Sequence, residues 1–173
     1  MALCTPQFSW QAATGPFGCI GITDALDADG GSLRVTALGI VPLARVPRDA
    51  RLTKGELQRY LAELPLAPDA ILRNTDLEWE EVSPTCLRVS ATVGSVHAHV
   101  DLTLGADGLV ASAFTDRPRL EEGEYPWRGR FGDYRLHEGR QLPFAAEASW
   151  TIGGVETVYW RGAMLTWALS TRP

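Results

Sequence analysis

The sequence predicts a mainly β (α+β) fold: a strongly curved antiparallel meander sheet, or half-barrel, of about ten strands, with one helix and a short helical turn packed in its concave side. Two observations predict it. Alternating apolar and polar residues, the period of strands, recur between glycine-containing turns through most of the chain. Residues 53–68 follow the helical period instead. A large antiparallel sheet curls under its own twist, and an amphipathic helix needs a sheet to cover its apolar face.

Four strands are expected before the helix. They are residues 8–12, 18–24, 33–37 and 40–46. The second and third are joined by a hairpin turn at residues 27–31 (DADGG), where glycine and aspartate favour a tight reversal. Pro42 indicates that the fourth strand lies at an edge or bends, because proline cannot donate to a strand ladder.

The helix is expected over residues 53–68 (TKGELQRYLAELPLAP). Its apolar stripe follows the i, i+3, i+4, i+7 spacing and consists of Leu57, Tyr60, Leu61 and Leu64. Thr53 and Glu56 have the spacing of a capping box at the start of the helix. Pro65 and Pro68 are expected to end it, and a short helical turn follows at residues 69–72.

The second half of the chain returns to strands. These are expected at residues 77–81, 87–93, 96–102, 109–116, 130–137, 142–152 and 155–169. Tight turns join most of them, which is typical of an antiparallel meander. Residues 117–126 are polar and contain prolines, and we expect them to form the longest irregular loop. There is no shift in composition along the chain, so residues 1–173 are expected to form a single domain.

Composition excludes several classes of protein. The 16 Lys and Arg residues stand against 21 Asp and Glu residues, for a formal charge of -5, so no nucleic-acid partner is expected. No apolar run of about 18 residues exists, so no membrane span is expected. The N-terminus lacks the features of a signal peptide. Cys4, Cys19 and Cys86 show no paired spacing, which favours a reducing compartment and a cytoplasmic protein.

Four segments resemble the pattern of an uncharacterised bacterial family, a domain of unknown function. They are residues 59–72 (RYLAELPLAPDAIL), 77–82 (LEWEEV), 133–150 (DYRLHEGRQLPFAAEASW) and 158–162 (VYWRG). The resemblance extends from about Phe8 to Leu169. It implies no activity. The shape that it implies is similar to the curved, unclosed sheet of the lipoprotein-carrier class, in which helices fill a sheet that can hold acyl chains.

A His-x-His-x-Asp pattern occupies one expected strand. His97, His99 and Asp101 fall on one face by alternation, and such a face could serve a metal. The alternative is the solvated side of an antiparallel strand whose other side is apolar. We favour the solvated side, and expect neither a metal nor another cofactor.

Arg59 and Glu63 lie one helical turn apart with opposite charges. They form either a surface pair or part of a covered network, since a helix inside a curved sheet has no wholly free face. Charges that are covered need partners. The candidate partners from the sheet are Arg117, Tyr134, Arg135, Glu147, Tyr159 and Arg161. We expect Glu63 to pair with a guanidinium rather than to face an open pocket.

Six tryptophans are a high number for a chain of 173 residues. Trp79 and Trp150 are expected mid-strand in the core, and Trp127 and Trp160 at the rim of a cavity. The full candidate set for ligand binding is Arg59, Tyr60, Glu63, Arg117, Trp127, Tyr134, Arg135, Tyr159 and Trp160.

The favoured functional hypothesis is a soluble module that binds a small apolar or amphipathic ligand in the concavity of the sheet. The first alternative is a small-molecule enzyme that uses Arg59, Glu63 and Tyr134 in the same cavity, with the glutamate as a base. The second is an interaction domain that uses a sheet edge, for which residues 40–46 are the candidate. The oligomeric state is left open.

Overall fold

The computed structural model describes residues 1–38, 41–119 and 123–170. In these residues the chain is mainly β, with eleven strands in two antiparallel sheets and two α-helices. The expected antiparallel meander is confirmed within each sheet. The expectation of one sheet with about ten strands is wrong, because the helical segment between β4 and β5 separates two meanders that do not pair with each other.

The first sheet has four strands in the order β1-β2-β3-β4. These strands are β1 (Phe8–Thr14), β2 (Ile20–Asp27), β3 (Gly30–Ala37) and β4 (Val41–Val46). All six residues of β4 are exposed, and β4 lies at an edge as Pro42 predicts. The first residue of the expected fourth strand, Ile40, lies outside the described residues.

The helical segment contains α1 (Ala50–Ala62), a 3-10 turn (Leu64–Leu66) and α2 (Pro68–Arg73). The predicted capping box is wrong. The helix begins one turn earlier, where the Asp49 side chain accepts a hydrogen bond from the Leu52 amide at 2.6 Å. Thr53 therefore lies inside α1, and its hydroxyl accepts from the Gly31 amide at 3.0 Å. Pro65 stands in the 3-10 turn that separates the two helices.

The second sheet has seven strands in the order β11-β10-β9-β8-β7-β6-β5. These strands are β5 (Glu78–Ser83), β6 (Cys86–Val93), β7 (Val96–Leu104), β8 (Val110–Pro118), β9 (Glu124–His137), β10 (Arg140–Ile152) and β11 (Val155–Ala163). The predicted loop over residues 117–126 is wrong at both ends, because Arg117 pairs with Tyr125 and Pro118 with Glu124. Its middle part, residues 120–122, lies outside the described residues. Polar residues are ordinary on the solvated face of an antiparallel strand, so polarity there did not mark a loop.

Helix α1 packs against β2 and β3 of the first sheet and against β6, β7 and β8 of the second. Its predicted apolar stripe is confirmed, since Leu57, Tyr60, Leu61 and Leu64 are fully buried. Each such side chain contributes roughly 1.5–3 kcal/mol through burial. Gly31 allows the close approach of helix and sheet, because a Cβ at this position would lie 3.1 Å from Glu56 Cγ.

One buried cluster joins the helix to both sheets and includes Phe8 and Leu26 of the first and Val89 and Val100 of the second. Neither helix in the described part of the chain has the length and apolar character needed to span a bilayer.

Candidate functional site

A cleft of about 560 Å³ opens beside the first turns of α1, between β3–β4 of one sheet and β8 of the other. We call it the inter-sheet cleft. Its apolar wall residues are Leu33, Val46, Pro47, Leu52 and Pro118, and its polar lining residues are Asp49, Arg51, Glu56 and Arg117. Asp49 is occupied as the helix cap, and Arg51 donates to the Gly123 carbonyl at 2.8 Å. Glu56 and Arg117 are therefore the groups of interest.

Glu56 and Arg117 form a loose pair. Glu56 is only 5% exposed, and its Oε1 lies 3.6 Å from Arg117 Nη2. This separation is longer than a charge-assisted hydrogen bond. Arg117 also donates from Nε to the Gly55 carbonyl at 3.1 Å and stacks over the Trp127 ring at 5.7 Å. Arg117 thus lines the cleft with part of its donor capacity unused by the described residues.

A second carboxyl group faces Glu56 from the first sheet. Burial raises the pKa of Glu56 to about 8; the Asp24 carboxylate adds to this rise, through its charge and a hydrogen bond between the side chains, and the charges of Arg117 and Arg59 oppose it. In the described residues, Glu56 Oε2 and Asp24 Oδ1 are both buried without a donor. Glu56 is therefore the described cleft residue best suited to hold a proton at neutral pH.

Arg59 forms a closed network behind the cleft. Its Nη1 contacts Asp24 Oδ2 at 2.6 Å and its Nε contacts Glu63 Oε1 at 2.8 Å. The guanidinium stacks on Trp10 and Phe8, at 4.7 and 5.4 Å from the ring centroids. Burial lowers the pKa of Arg59, but the Glu63 and Asp24 carboxylates outweigh it and the net pKa is raised.

The predicted ion pair of Glu63 with a guanidinium is confirmed. The predicted partners of the Arg59–Glu63 pair are wrong. Arg59 is bound by Asp24 of β2 and by none of the six candidates from the sheet. Asp24 is the last residue of the expected second strand, and the sequence pattern there does not indicate that its carboxylate faces the helix.

A series of three aromatic side chains in successive contact begins at Trp127, whose ring lies against the Arg117 guanidinium. Trp127 is 7% exposed and donates from Nε1 to the Tyr159 hydroxyl at 3.0 Å. Tyr159 stacks with Trp150, with ring centroids 6.1 Å apart. A bulge in the pairing of β10 with β11 leaves Tyr159 without a partner in the register, which re-aims its side chain. The structure thus brings Arg117, Trp127 and Tyr159 of the candidate set together.

The remaining candidates lie elsewhere. Tyr60 is fully buried, and its hydroxyl accepts from Asn74 at 2.9 Å. Tyr134 donates to the Val110 carbonyl at 2.7 Å, and burial raises its pKa to about 12. Arg135 pairs with Asp133 at an exposed site. Trp160 is 44% exposed, with its ring against Gly162 of β11.

Trp79 departs from its expected place in the core. It pairs with the buried Val89, so it points to the predicted face, but β5 is an edge strand and Trp79 is 41% exposed. Its ring lines a second cavity of about 320 Å³, which we call the apolar pocket. The other lining residues are Ile71, Glu80, Glu81, Leu87, Leu102, Leu104 and Val110. Trp150 is half-buried and packs against the core.

The His-x-His-x-Asp pattern lies on the exposed side of β7. His97 is in hydrogen-bond contact with Thr92 Oγ1 at 3.2 Å, and Asp101 accepts two hydrogen bonds from Arg88 at 2.7 and 3.0 Å. Across residues 1–38, 41–119 and 123–170, no group of three His, Cys, Asp or Glu side chains is placed to hold a metal ion.

Sequence reasoning missed the role of Glu56 and Asp24. Glu56 precedes the apolar stripe by one position and was assigned to a capping box. A helix covered on two sides buries the residues that flank its stripe as well as the stripe itself. Because Glu56 directly precedes Leu57 of the stripe, this rule was the signal in the sequence that Glu56 would be buried.

The fold and the cleft define an α+β protein in which two antiparallel sheets enclose a helix, with a carboxyl pair and an arginine beside a solvent-accessible cleft. The chain belongs to a family of unknown function (DUF6544), whose model matches residues 1–162. The resemblance to a domain of unknown function is thereby confirmed. No curated protein and no solved structure matches the chain.

Proposed function

We propose that this protein binds a small amphipathic ligand in the inter-sheet cleft, with a polar head at Arg117 and an apolar portion along the walls. The observation that carries the proposal is the combination of a cleft of about 560 Å³ with apolar walls and an arginine whose carboxylate partner, among the described residues, is 3.6 Å away. This volume is within the range of small-molecule sites, roughly 300–1,000 Å³, which are mostly apolar with few polar groups.

Arg117 is better suited than Arg59 to contact a ligand. Arg59 is held by two carboxylates at 2.6 and 2.8 Å and does not line the cleft. Arg117 lines the cleft, and its carboxylate partner among the described residues is 3.6 Å away. A guanidinium with unused N–H groups forms bidentate contacts with carboxylate or phosphate oxygens.

We propose further that the fold is similar to the curved, unclosed sheet of the lipoprotein-carrier class. We take the seven-stranded sheet as the half-barrel and α1 as the element that fills its middle. The buried stripe of α1 supports this arrangement, and the lipoprotein-carrier class offers the analogy for it. On this view the ligand occupies one end of the concavity, beside the first turns of α1, rather than its centre.

Isothermal titration with octanoate and with 1-octanol tests the proposal, together with native mass spectrometry of freshly purified protein. Leu33→Trp should fill the inter-sheet cleft and abolish saturable binding. Leu87→Trp is the matched control, because it fills the apolar pocket instead. Binding that survives Leu33→Trp and disappears in Leu87→Trp would place the ligand in the apolar pocket and contradict the proposal.

Acid–base catalysis is a second candidate, and Glu56 is the residue that favours it. Its raised pKa, about 8, lies near neutral pH, where a general acid or base is most effective. Glu63 is less suitable because it is held in the Arg59 ion pair. A screen of small esters and lactones tests this candidate. Turnover that disappears in Glu56→Gln while octanoate binding persists would support it, and no turnover would oppose it.

A further inference from the structure

Asp24 and Glu56 bring two carboxyl groups into contact inside the protein. Asp24 is on β2 and uses Oδ2 for Arg59, at 2.6 Å. Glu56 is on α1 and directs Oε1 towards Arg117. The two remaining oxygens, Asp24 Oδ1 and Glu56 Oε2, are both buried and accept no hydrogen bond from the described residues. The side chains are close enough to hydrogen bond to each other.

One proton satisfies both oxygens. Two ionised carboxylates in contact repel each other, and each would leave a buried acceptor unpaired. A proton on Glu56 Oε2 makes that group a donor to Asp24 Oδ1, and Asp24 Oδ2 keeps its contact with Arg59. The proton belongs on Glu56 because the guanidinium contact of Asp24 is the tighter one, at 2.6 Å against 3.6 Å for Glu56.

The shared proton changes the charge of the cleft. With Glu56 neutral, Arg117 has no ionised carboxylate as an ion-pair partner among the described residues. Its positive charge then faces the inter-sheet cleft. A neutral head group would leave that charge uncompensated, whereas a carboxylate would neutralise it.

We infer that the inter-sheet cleft binds a carboxylate-bearing amphiphile as its anion, and that it does so with one proton held between Asp24 and Glu56. This inference rests on the proposed function and specifies the chemistry of its ligand. The carboxylate of the ligand takes the place beside Arg117 that ionised Glu56 would otherwise occupy.

In the described part of the chain, the other charged groups near Glu56 have partners of their own. From α1, Arg59 is neutralised by Asp24 and Glu63, and Asp49 caps the helix. Arg51 donates to backbone carbonyls of the β8–β9 connection. From β3, Leu33 and the backbone of Gly31 face the helix. The faces of β6 and β7 against α1 are apolar, with Val89, Ala91, Ala98, Val100 and Leu102.

Binding is therefore linked to pH. In the empty cleft Glu56 loses its proton near pH 8, and a bound anion holds the proton more tightly. Octanoate affinity should be nearly constant from about pH 6 to about pH 8 and then fall by up to about tenfold per pH unit, because each binding event takes up a proton. The affinity for 1-octanol should be lower and should not fall in this way.

Titrations of octanoate and 1-octanol at about pH 6 to about pH 10, in buffers of different ionisation enthalpy, test the inference. Wild type should take up one proton per octanoate bound above about pH 8. Glu56→Gln, which cannot ionise, should bind octanoate with no proton uptake and with higher affinity than wild type at high pH. Glu63→Gln, a matched carboxyl change outside the cleft, should keep the wild-type pH profile.

Two failures can be told apart. If neither octanoate nor 1-octanol binds, the proposed function fails. If both bind but octanoate shows no preference over 1-octanol, no proton uptake, or the same pH profile in Glu56→Gln, the inference alone is overturned. Circular dichroism of Glu56→Gln establishes that the variant is folded, and Arg117→Lys, which keeps the charge, should retain part of the octanoate preference.

Discussion

Arg59 Nη1 lies 2.6 Å from Asp24 Oδ2, and this contact ties helix α1 to strand β2 of the four-stranded sheet. Both side chains are mostly covered, at 16% and 13% exposure. The same guanidinium holds Glu63, whose side chain is more exposed, at 28%. Arg59 therefore forms one buried ion pair with the sheet and one more exposed ion pair along the helix. The two pairs should contribute differently to the free energy of unfolding.

Removing the shared arginine should be costly. Arg59→Met leaves the buried Asp24 carboxylate without its guanidinium, and we expect a loss of about 2–4 kcal/mol in the free energy of unfolding. Glu63→Gln should cost only about 1 kcal/mol, because Asp24 still neutralises Arg59. Urea denaturation measures both. Arg34→Met, on an exposed position of β3, is the control and should change little. Equal effects of Arg59→Met and Arg34→Met would contradict the network.

Stability should fall as pH rises through the range set by Glu56. Its pKa is about 8 in the folded protein against 4.5 for the free side chain. The folded state binds the proton more tightly, so the contribution is complete below about pH 4.5 and is lost as pH rises to about 8. The slope is up to about 1.4 kcal/mol per pH unit.

Glu56→Gln should remove that slope. The variant should match the parent near pH 5 and exceed it near pH 9, about one unit above the folded pKa, as followed by urea denaturation across this range. Glu63→Gln serves as the comparison and should retain the parent's dependence on pH. A parent protein that is equally stable at both pH values would show that Glu56 ionises freely in the fold.

Leu61 tests the role of the helix as the common core element. Leu61→Ala should lower the free energy of unfolding by about 2–5 kcal/mol, as truncations of fully buried leucines do. Leu61 is completely buried, whereas Leu72 on α2 is 85% exposed. Leu72→Ala is therefore the matched control and should have a small effect. Thermal and urea unfolding with equal midpoints for Leu61→Ala and the parent would contradict the burial of α1.

Asp49 tests the observed start of α1. Asp49→Ala removes the acceptor for the Leu52 amide and should cost about 1 kcal/mol. Asp49→Asn keeps a good N-cap and should preserve most of that stability. If neither change altered the midpoint of thermal unfolding, the Asp49 cap would not contribute to stability. That result would favour a helix start at the predicted capping box of Thr53 instead.

The elements with clean alternation were predicted closely. Strands β6 and β7 were expected at residues 87–93 and 96–102 and are observed at Cys86–Val93 and Val96–Leu104. The stripe of α1 was also predicted correctly, because a helical period with leucines has few alternatives. Alternation identifies which residues share a face. It does not say which strand lies at an edge, and Trp79 was misplaced for that reason.

The candidate site was predicted in part. Arg117, Trp127 and Tyr159 do meet, although they come from three different strands of the second sheet. The carboxyl pair escaped prediction because it joins residues 24 and 56 across the boundary between a sheet and a helix. Such contacts depend on how two elements are placed in space, and the local periodicity of either segment carries no information about that placement.

Because both sheets bury their apolar faces on the same helix, the two halves of the chain should unfold together rather than one after the other. Amide hydrogens in the middle of α1 should then exchange with solvent only through global opening, and with the slowest rates in the protein. The exposed edge strand β4 should exchange much sooner through local fraying. A ligand held between α1 and the two sheets would slow the exchange of both sheets at once.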